Sequence, residues 1–477
     1  MKKRFLAGMM AVFLSAAVFA GCGNTEAGST DPDSQVENDN TGALEGTGDT
    51  EGTEQSDGSG DQAFGEEQSD AAQDGENSQE LPVLRDAVME NLGCRVGAAV
   101  TVDDIKNEKS WEIVTTYFNA ITIGNELKPD AMVGYSNGIC PGTEEAELNG
   151  ETIVVPKLNY SRAETILDKV LEWNQANPDN EIKVRGHVLV WHSQTPEWFF
   201  HVDYDKNKDY VDKETMNKRL EWYIRTMLTH FTGEDSKYKD LFYGWDVVNE
   251  AVSDGTGTYR SDQENPNEPL SQDTHGSNSS WWHVYQSNEY ILNAFLYANK
   301  YAPTDLELYY NDYNECVFNK QMGIIELLTA VKELEGEPGV GTRIDGMGMQ
   351  GHYNMSSPSW TEFETAIKRY AAVVGNVQIT EFDMKSSDEY DGSDEAKAEE
   401  YEKQAEHYRM FYWVMKNLNK QDGINITGLI FWGTADHLSW LQSRSNVGGG
   451  NTESLPECPL LFDENYEPKP AYYKFLE

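Results

Sequence analysis

Cysteine is scarce in this chain, with 5 in 477 residues. Cys94, Cys140, Cys316 and Cys458 are scattered without a CxxC pair or ligand-like spacing, which argues against a zinc site; no disulfide pairing can be read from them. Positive charge is also short, with 37 Lys and Arg against 82 Asp and Glu and a net charge of −45. That balance argues against nucleic acid and anionic headgroups as partners, since neither is attracted to it. Between Gly23 and Glu80 there is no Lys or Arg, and the large apolar residues are Val36, Leu44 and Phe64. The apolar stretch Phe5–Ala20 is too short to span a membrane comfortably. No Gly-rich phosphate turn follows an early strand candidate, and no internal repeat is visible.

What is present divides the chain unevenly. Residues 1–22 have signal-peptide anatomy: Lys2, Lys3 and Arg4, then the apolar stretch, then a small-residue site. Phe19-Ala20-Gly21-Cys22 resembles a bacterial lipobox, although Phe19 stands where Leu is usual, so Cys22 is expected to carry lipid and to become the mature N-terminus. Residues 23–80 cannot bury enough surface to offset their ordering entropy and are expected to be a disordered, acidic tether. Lipid and tether together imply display on the outer face of a bacterial membrane, with membrane contact only through Cys22. Residues 81–477 are rich in Trp and Tyr and long enough for one large core.

Strand-like and helix-like runs alternate through this region. The strand candidates are Arg95–Val100, Tyr117–Gly124, Lys183–Trp191, Phe242–Asn249, Glu307–Asn311, Ile344–Gln350, Asn376–Thr380 and Gly428–Gly433. Ser161-Arg162-Ala163-Glu164 and Ser359-Trp360-Thr361-Glu362 read as capping boxes opening helices, and Lys213–Phe231, Ser287–Lys300, Phe318–Leu334 and Lys397–Leu418 show helical periodicity. The fold class expected is α/β, a (β/α)8 TIM barrel, with a doubly wound open sheet as the alternative. In such a barrel the active residues sit at strand C-termini.

Two carboxylates fall at such positions. Glu250 closes Trp245-Asp246-Val247-Val248-Asn249-Glu250, and Glu381 follows Val377-Gln378-Ile379-Thr380 and precedes Phe382-Asp383. A buried carboxylate costs free energy unless it is paired or has a task. Two of them at one mouth are the equipment for glycosidic bond cleavage. The other strand ends carry groups suited to sugars, which present apolar C–H faces and a rim of hydroxyls. Trp191, Trp432 and Trp440 are candidate platforms, and Asn125, Lys128, His187, Gln194, Asn249 and Gln350 candidate hydrogen-bond partners. Desolvation is expected to favour protonated Glu250, and His352 and Asn249 are expected to donate to Glu381.

These ordered motifs closely resemble the catalytic domain of glycoside hydrolase family 10, the endo-β-1,4-xylanases. The resemblance runs through Val184–Phe199, Trp245–Glu250, Asn311–Asn314, Gln350–His352, Ile379–Asp383, Phe431–Trp440 and Pro459–Phe475. It implies Glu250 as general acid/base and Glu381 as nucleophile in a retaining double displacement on xylan, with no metal or organic cofactor. It further implies His352 on the nucleophile, oriented by Asp383, and Asn249 at the sugar 2-hydroxyl. Asn125, Lys128 and Gln194 would bind the next sugar on the non-reducing side, and Tyr313 would be a platform on the leaving-group side. One departure is Gly124, where the family commonly has Glu. A xylan or xylo-oligosaccharide substrate and a monomeric enzyme are expected. The alternatives are an endo-β-1,4-glucanase on the same fold and a surface oligosaccharide-binding lipoprotein, for which a paired acid and nucleophile would have no use.

Overall fold

The computed structural model describes residues 83–134, 139–268, 276–443 and 456–477. The expected signal peptide, Cys22 and the tether to Glu80 lie outside the described residues. Eight strands form the frame: β1 (Arg95–Val100), β2 (Ala120–Ile123), β3 (Lys183–Gly186), β4 (Phe242–Asn249), β5 (Glu307–Asp312), β6 (Gly346–Met349), β7 (Asn376–Lys385) and β8 (Asn425–Phe431). Each pairs in parallel with the next in chain order. Strand β8 then closes on β1, with Arg95 opposite Gly428 and Ala98 opposite Phe431. The sheet is therefore a closed (β/α)8 barrel, and the open doubly wound alternative is set aside because no edge is left between first and last strands.

The strands are near-continuous apolar runs because they are covered on both sides; Ile121, Val184, Trp245, Leu308, Met347, Ile379 and Leu429 are all buried. Helices cover the outside. Asp212 and Ser393 cap Lys213–Thr232 and Asp394–Leu418 by accepting from backbone N–H groups in the first turn. The Ser359 capping box forms as expected, its Oγ accepting from Glu362 N at 3.3 Å while Ser359 N donates to Glu362 Oε2 at 2.8 Å. The second expected box does not form. The helix Ser161–Ala176 starts after Tyr160, which makes no side-chain cap. Ser161 Oγ turns back to Asn159 Oδ1 at 2.7 Å, and Glu164 pairs with His230 Nε2 at 3.0 Å.

Several expected strand limits shift for physical reasons. Tyr117 belongs to the preceding helix Glu108–Tyr117, so β2 begins at Ala120 and not at Tyr117. The run Lys183–Trp191 is broken into β3 and a short pair Val190–Trp191, with His187-Val188-Leu189 between them. Strand β7 does not stop at Thr380 but continues through Glu381 to Lys385, with a register shift against β8 between Ile379 and Phe382. Glu381 is thus displayed by an irregularity inside a strand and not by its end. A hairpin of Thr143–Leu148 and Glu151–Pro156, absent from the sequence reading, stands outside the barrel. Its signal was Asn149-Gly150, whose φ values of 52° and 86° suit a two-residue hairpin turn.

Close packing inside the wall gives a paired prediction. A Cβ at Gly186 would overlap the Trp245 ring, which is fully buried, whereas one at Gly124 would meet Val100 O at 3.6 Å and Thr101 Cγ2 at 4.0 Å, ordinary contacts. Gly186→Ala should therefore destabilise the barrel by about 1–3 kcal/mol. Gly124→Ala should stay within about 0.5 kcal/mol of wild type. Urea midpoints at unchanged slope check both.

Candidate active site

Glu250 and Glu381 meet at the C-terminal mouth of the barrel, 1% and 4% exposed. Glu250 directly follows β4 in the left-handed region, φ 54°, where a non-glycine residue is strained. Its Oε2 accepts from Trp191 Nε1 at 2.8 Å, and its Oε1 accepts from Gln350 Nε2 at 2.7 Å and Asn249 Nδ2 at 2.9 Å. The expected platform Trp191 is instead buried at 1% exposure, its N–H committed to Glu250 and its ring crossed by Lys128 Nζ at 4.9 Å. Trp432 and Trp440 are half-buried, their rings edge-on to His352 at 6.3 Å and 4.9 Å.

Glu381 is held by a different set. Its Oε1 accepts from Asn311 Nδ2 at 2.8 Å, and its Oε2 lies 3.3 Å from His352 Nε2. His352 Nδ1 lies 2.9 Å from Asp383 Oδ1, and Trp440 Nε1 donates to Asp383 Oδ2 at 2.7 Å. Both imidazole nitrogens thus face carboxylates, which accept and do not donate when ionised, so the protonated ring satisfies both. Burial alone would lower the His352 pKa, but Asp383 and Glu381 hold it well above 6.5. Burial alone would raise the Glu381 pKa, but the His352 hydrogen bond, the neighbouring His187, the His352 charge and the Asn311 bond outweigh it and bring it down from 4.5 to about 2.

The expected donor Asn249 does not reach Glu381. Its Nδ2 is given to Glu250, and its Oδ1 accepts from Asn311 Nδ2 at 3.0 Å and Gln350 Nε2 at 3.3 Å. Asn311 is the residue the sequence reading left out of the site, although it stands at the end of β5 in the quoted Asn311–Asn314 run. Its amide links the two carboxylates: Nδ2 serves Glu381 and Asn249, while Oδ1 accepts from Thr380 Oγ1 at 2.6 Å. A Cβ at Gly348 would overlap that same Oδ1, which is why this position of β6 is bare.

The remaining candidates form two outlying groups. Lys128 Nζ donates to Gln194 Oε1 at 2.8 Å and Asn125 Oδ1 at 3.2 Å, bringing three expected sugar binders together. Beneath them, burial pushes Asp130 up to about 6 against the lowering effects of Lys128 and of a Gln194 bond at 3.3 Å. Among the described residues His187 hydrogen-bonds to neither catalytic candidate but to Asp246. Its Nδ1 lies 2.9 Å from Asp246 Oδ2, Asp246 also binds the buried Arg185, and its ring meets Trp432 edge-on at 5.8 Å. Tyr313 is 4% exposed, its hydroxyl on Asp254 and one ring face covered by Lys320 Nζ at 3.6 Å. No group of His, Cys, Asp and Glu with metal-binding geometry occurs among the described residues.

Comparisons with known proteins agree with the barrel fold. The sequence model described as glycosyl hydrolase family 10 matches residues 84–477. Endo-1,4-beta-xylanase Y of Acetivibrio thermocellus is 33% identical over 384 residues, covering 79% of this chain and 30% of that protein. The chain thus spans about a third of the length of that relative. The endo-1,4-beta-xylanase of Geobacillus stearothermophilus is 33% identical over 399 residues, covering 83% of this chain and 98% of that one. Among solved structures, the endo-1,4-beta-D-xylanase 10B modules of Clostridium thermocellum complexed with xylohexaose superpose with a TM-score of 0.65 at 30% identity, covering 83% of this chain and 67% of that one.

The two shifted groups set a pH window. Glu381, lowered from 4.5 to about 2, contributes stability that is complete above 4.5 and lost as pH falls toward 2. His352, raised above 6.5, contributes stability complete below 6.5 and lost as pH rises through its folded value. Removing the Asn311 amide with Asn311→Ala takes a donor from ionised Glu381 and should move the acid limb of a kcat/KM profile to higher pH. The buried acceptors it leaves should cost about 1–3 kcal/mol of stability. An unmoved acid limb in a folded variant would contradict the bond's role.

Proposed function

The chain belongs to glycosyl hydrolase family 10, and on that premise we propose that it is a retaining endo-1,4-β-xylanase. The observation that carries the reading is the pair Glu250 and Glu381, buried at one barrel mouth and linked through Asn249, Gln350 and Asn311. The relatives named above are endo-1,4-beta-xylanases, and one solved relative holds xylohexaose, which supports xylan as the substrate.

In the first step the ionised Glu381 attacks the anomeric carbon and the glycosidic C–O bond breaks. Glu250 gives its proton to the departing oxygen, leaving a glycosyl ester on Glu381 and an ionised Glu250. In the second step Glu250 takes a proton from water, the hydroxide displaces Glu381, and the anomeric configuration is retained. The low pKa of Glu381, about 2, keeps the attacking group ionised. Asn249 is offered as the partner of the sugar 2-hydroxyl, Asn125, Lys128 and Gln194 as binders of the next sugar, and Trp432 and Trp440 as its apolar platforms. His187 and Gln350 complete the lining, with Tyr313 on the leaving-group side.

We further propose that the enzyme is held by lipid on Cys22 at the outer face of a membrane, through the acidic segment 23–80. The helix Leu84–Leu92 leads into the N-terminal end of β1, where Leu92 O accepts from Asn419 Nδ2 at 2.6 Å at the foot of helix Asp394–Leu418. The preceding chain thus joins the barrel on the side opposite the carboxylates, an arrangement that suits a cleft facing away from an anchor.

Glu381→Gln should lower xylan hydrolysis by about 10⁴-fold or more with folding unchanged. Glu250→Ala should spare substrates with good leaving groups, and a glycosyl-enzyme mass should accumulate on the intact protein. Equal loss on activated and natural substrates would remove Glu250 from the acid/base role. Cys22→Ser should move the protein from the membrane fraction to the medium at constant specific activity, and retention in the membrane would end the lipid reading.

A further inference from the structure

Glu250 occupies a backbone conformation that its own residue type does not favour, φ 54°. Something around it must hold the chain there. Three bonds do so directly. Glu250 N donates to Asn311 O at 2.9 Å, Ala251 N donates to Tyr310 OH at 2.9 Å, and Arg260 Nε donates to Glu250 O at 2.9 Å. Arg260 N also donates to Ala251 O at 2.8 Å, so main chain and side chain of one residue fix two consecutive carbonyls.

The guanidinium is itself buried, 3% exposed, and its other nitrogens are spent on fixing its plane. Nη1 donates to Ser277 O at 3.3 Å, and Nη2 donates to Tyr313 OH at 3.3 Å and lies 3.7 Å from Asp254 Oδ2. Asp254 and Asp312 in turn flank the fully buried Lys320, whose Nζ lies 2.8 Å from Asp254 Oδ1 and 2.9 Å from Asp312 Oδ1. Tyr310, the acceptor for Ala251 N, donates its hydroxyl proton to Asp312. Two cations and two carboxylates thus balance beneath the turn, and both arms of the cage end on the backbone at Glu250 and Ala251. A lysine could supply the charge at residue 260 but not the rigid fork that reaches a carbonyl, a phenol and a carboxylate at once.

We propose that Arg260, together with Tyr310, is a positioning residue for the acid/base carboxylate, clamping the left-handed backbone of Glu250 so that its side chain meets Trp191 and Gln350. The inference rests on the reading of Glu250 as acid/base. Its signature is chemical: a misplaced acid slows departure of poor leaving groups and barely affects good ones. A merely structural loss slows both.

The test compares kcat/KM for xylotetraose and for 2,4-dinitrophenyl xylobioside in wild type, Arg260→Lys, Tyr310→Phe and Glu250→Ala, with near-UV circular dichroism to show native packing. Both clamp variants should lose about 10–100-fold on xylotetraose and less than about threefold on the activated glycoside. Should Arg260→Lys fail to fold, Tyr310→Phe carries the test alone, since Lys320 still partners Asp312. Equal losses on the two substrates, or no loss on xylotetraose, overturn the clamp. If Glu250→Ala shows the split and the clamp variants do not, only this inference falls; if Glu250→Ala shows none, the acid/base reading falls and takes the clamp with it.

Discussion

The fold around the site answers one constraint: two carboxylates are taken almost wholly out of water at a single barrel mouth. An unpaired buried carboxylate is costly, and two close together repel as well. The structure meets this by assigning five donors from four neighbouring strands or the residues that follow them, β3 to β6, and by letting one amide, Asn311, serve the Glu381 side and the Asn249–Glu250 side at once. Because the donors come from separate strands, the arrangement exists only when those strands are paired. Pairing of β3 through β7 is therefore a condition for the site as much as for the core.

Below this layer the barrel is not purely apolar. Arg185 is fully buried inside the wall, paired with Asp246, with Nε on Gln378 Oε1 at 3.1 Å; Gln378 Nε2 reaches Tyr309 OH at 2.8 Å. Asp246 passes its influence upward to His187. Replacing such a pair by apolar residues is often neutral for stability, whereas removing one member is not. The polar floor is thus better understood as fixing orientation: it sets which way His187 faces, and His187 in turn acts on Glu381. The Arg260–Lys320 cage does the same for the backbone at Glu250, using buried pairs that salt screens little.

Much of this was legible in the sequence because burial and strand ends leave marks. All eight strand candidates became barrel strands, and the two carboxylates stood where apolar runs ended or were interrupted. What stayed hidden depended on three-dimensional neighbours. The Ser161 box failed because Asn159 and His230 competed for its two partners, and a four-residue pattern cannot show competitors. Asn249 is a candidate donor to Glu381 in the sequence, while the amide that arrives there, Asn311, is carried by β5. Trp191 was read as a platform from its residue type, yet its burial follows from Lys128 crossing the ring and from the bond to Glu250. Arg260 lies in a loop with no periodicity, so no pattern singled it out.

The two carboxylates also differ in kind of environment, and that difference supports their separate tasks. The donors named at Glu250 are an indole and two carboxamides, neutral dipoles that can partner a carboxylate and remain in place when it gains a proton. At Glu381 the donors include the imidazole of His352, kept charged by Asp383 on its far side. A charged donor favours the ionised form of its partner over the protonated one, which fits a group proposed to attack as an anion. A group that must gain and lose a proton within each cycle needs the opposite: firm geometry with modest electrostatic preference. The cage beneath Glu250 holds its backbone, and an indole and two carboxamides meet its carboxylate, whereas at Glu381 the His352–Asp383 pair acts on the charge of the carboxylate itself. Backbone position is fixed at Glu250 and the ionised form at Glu381, and the proposed double displacement calls on both.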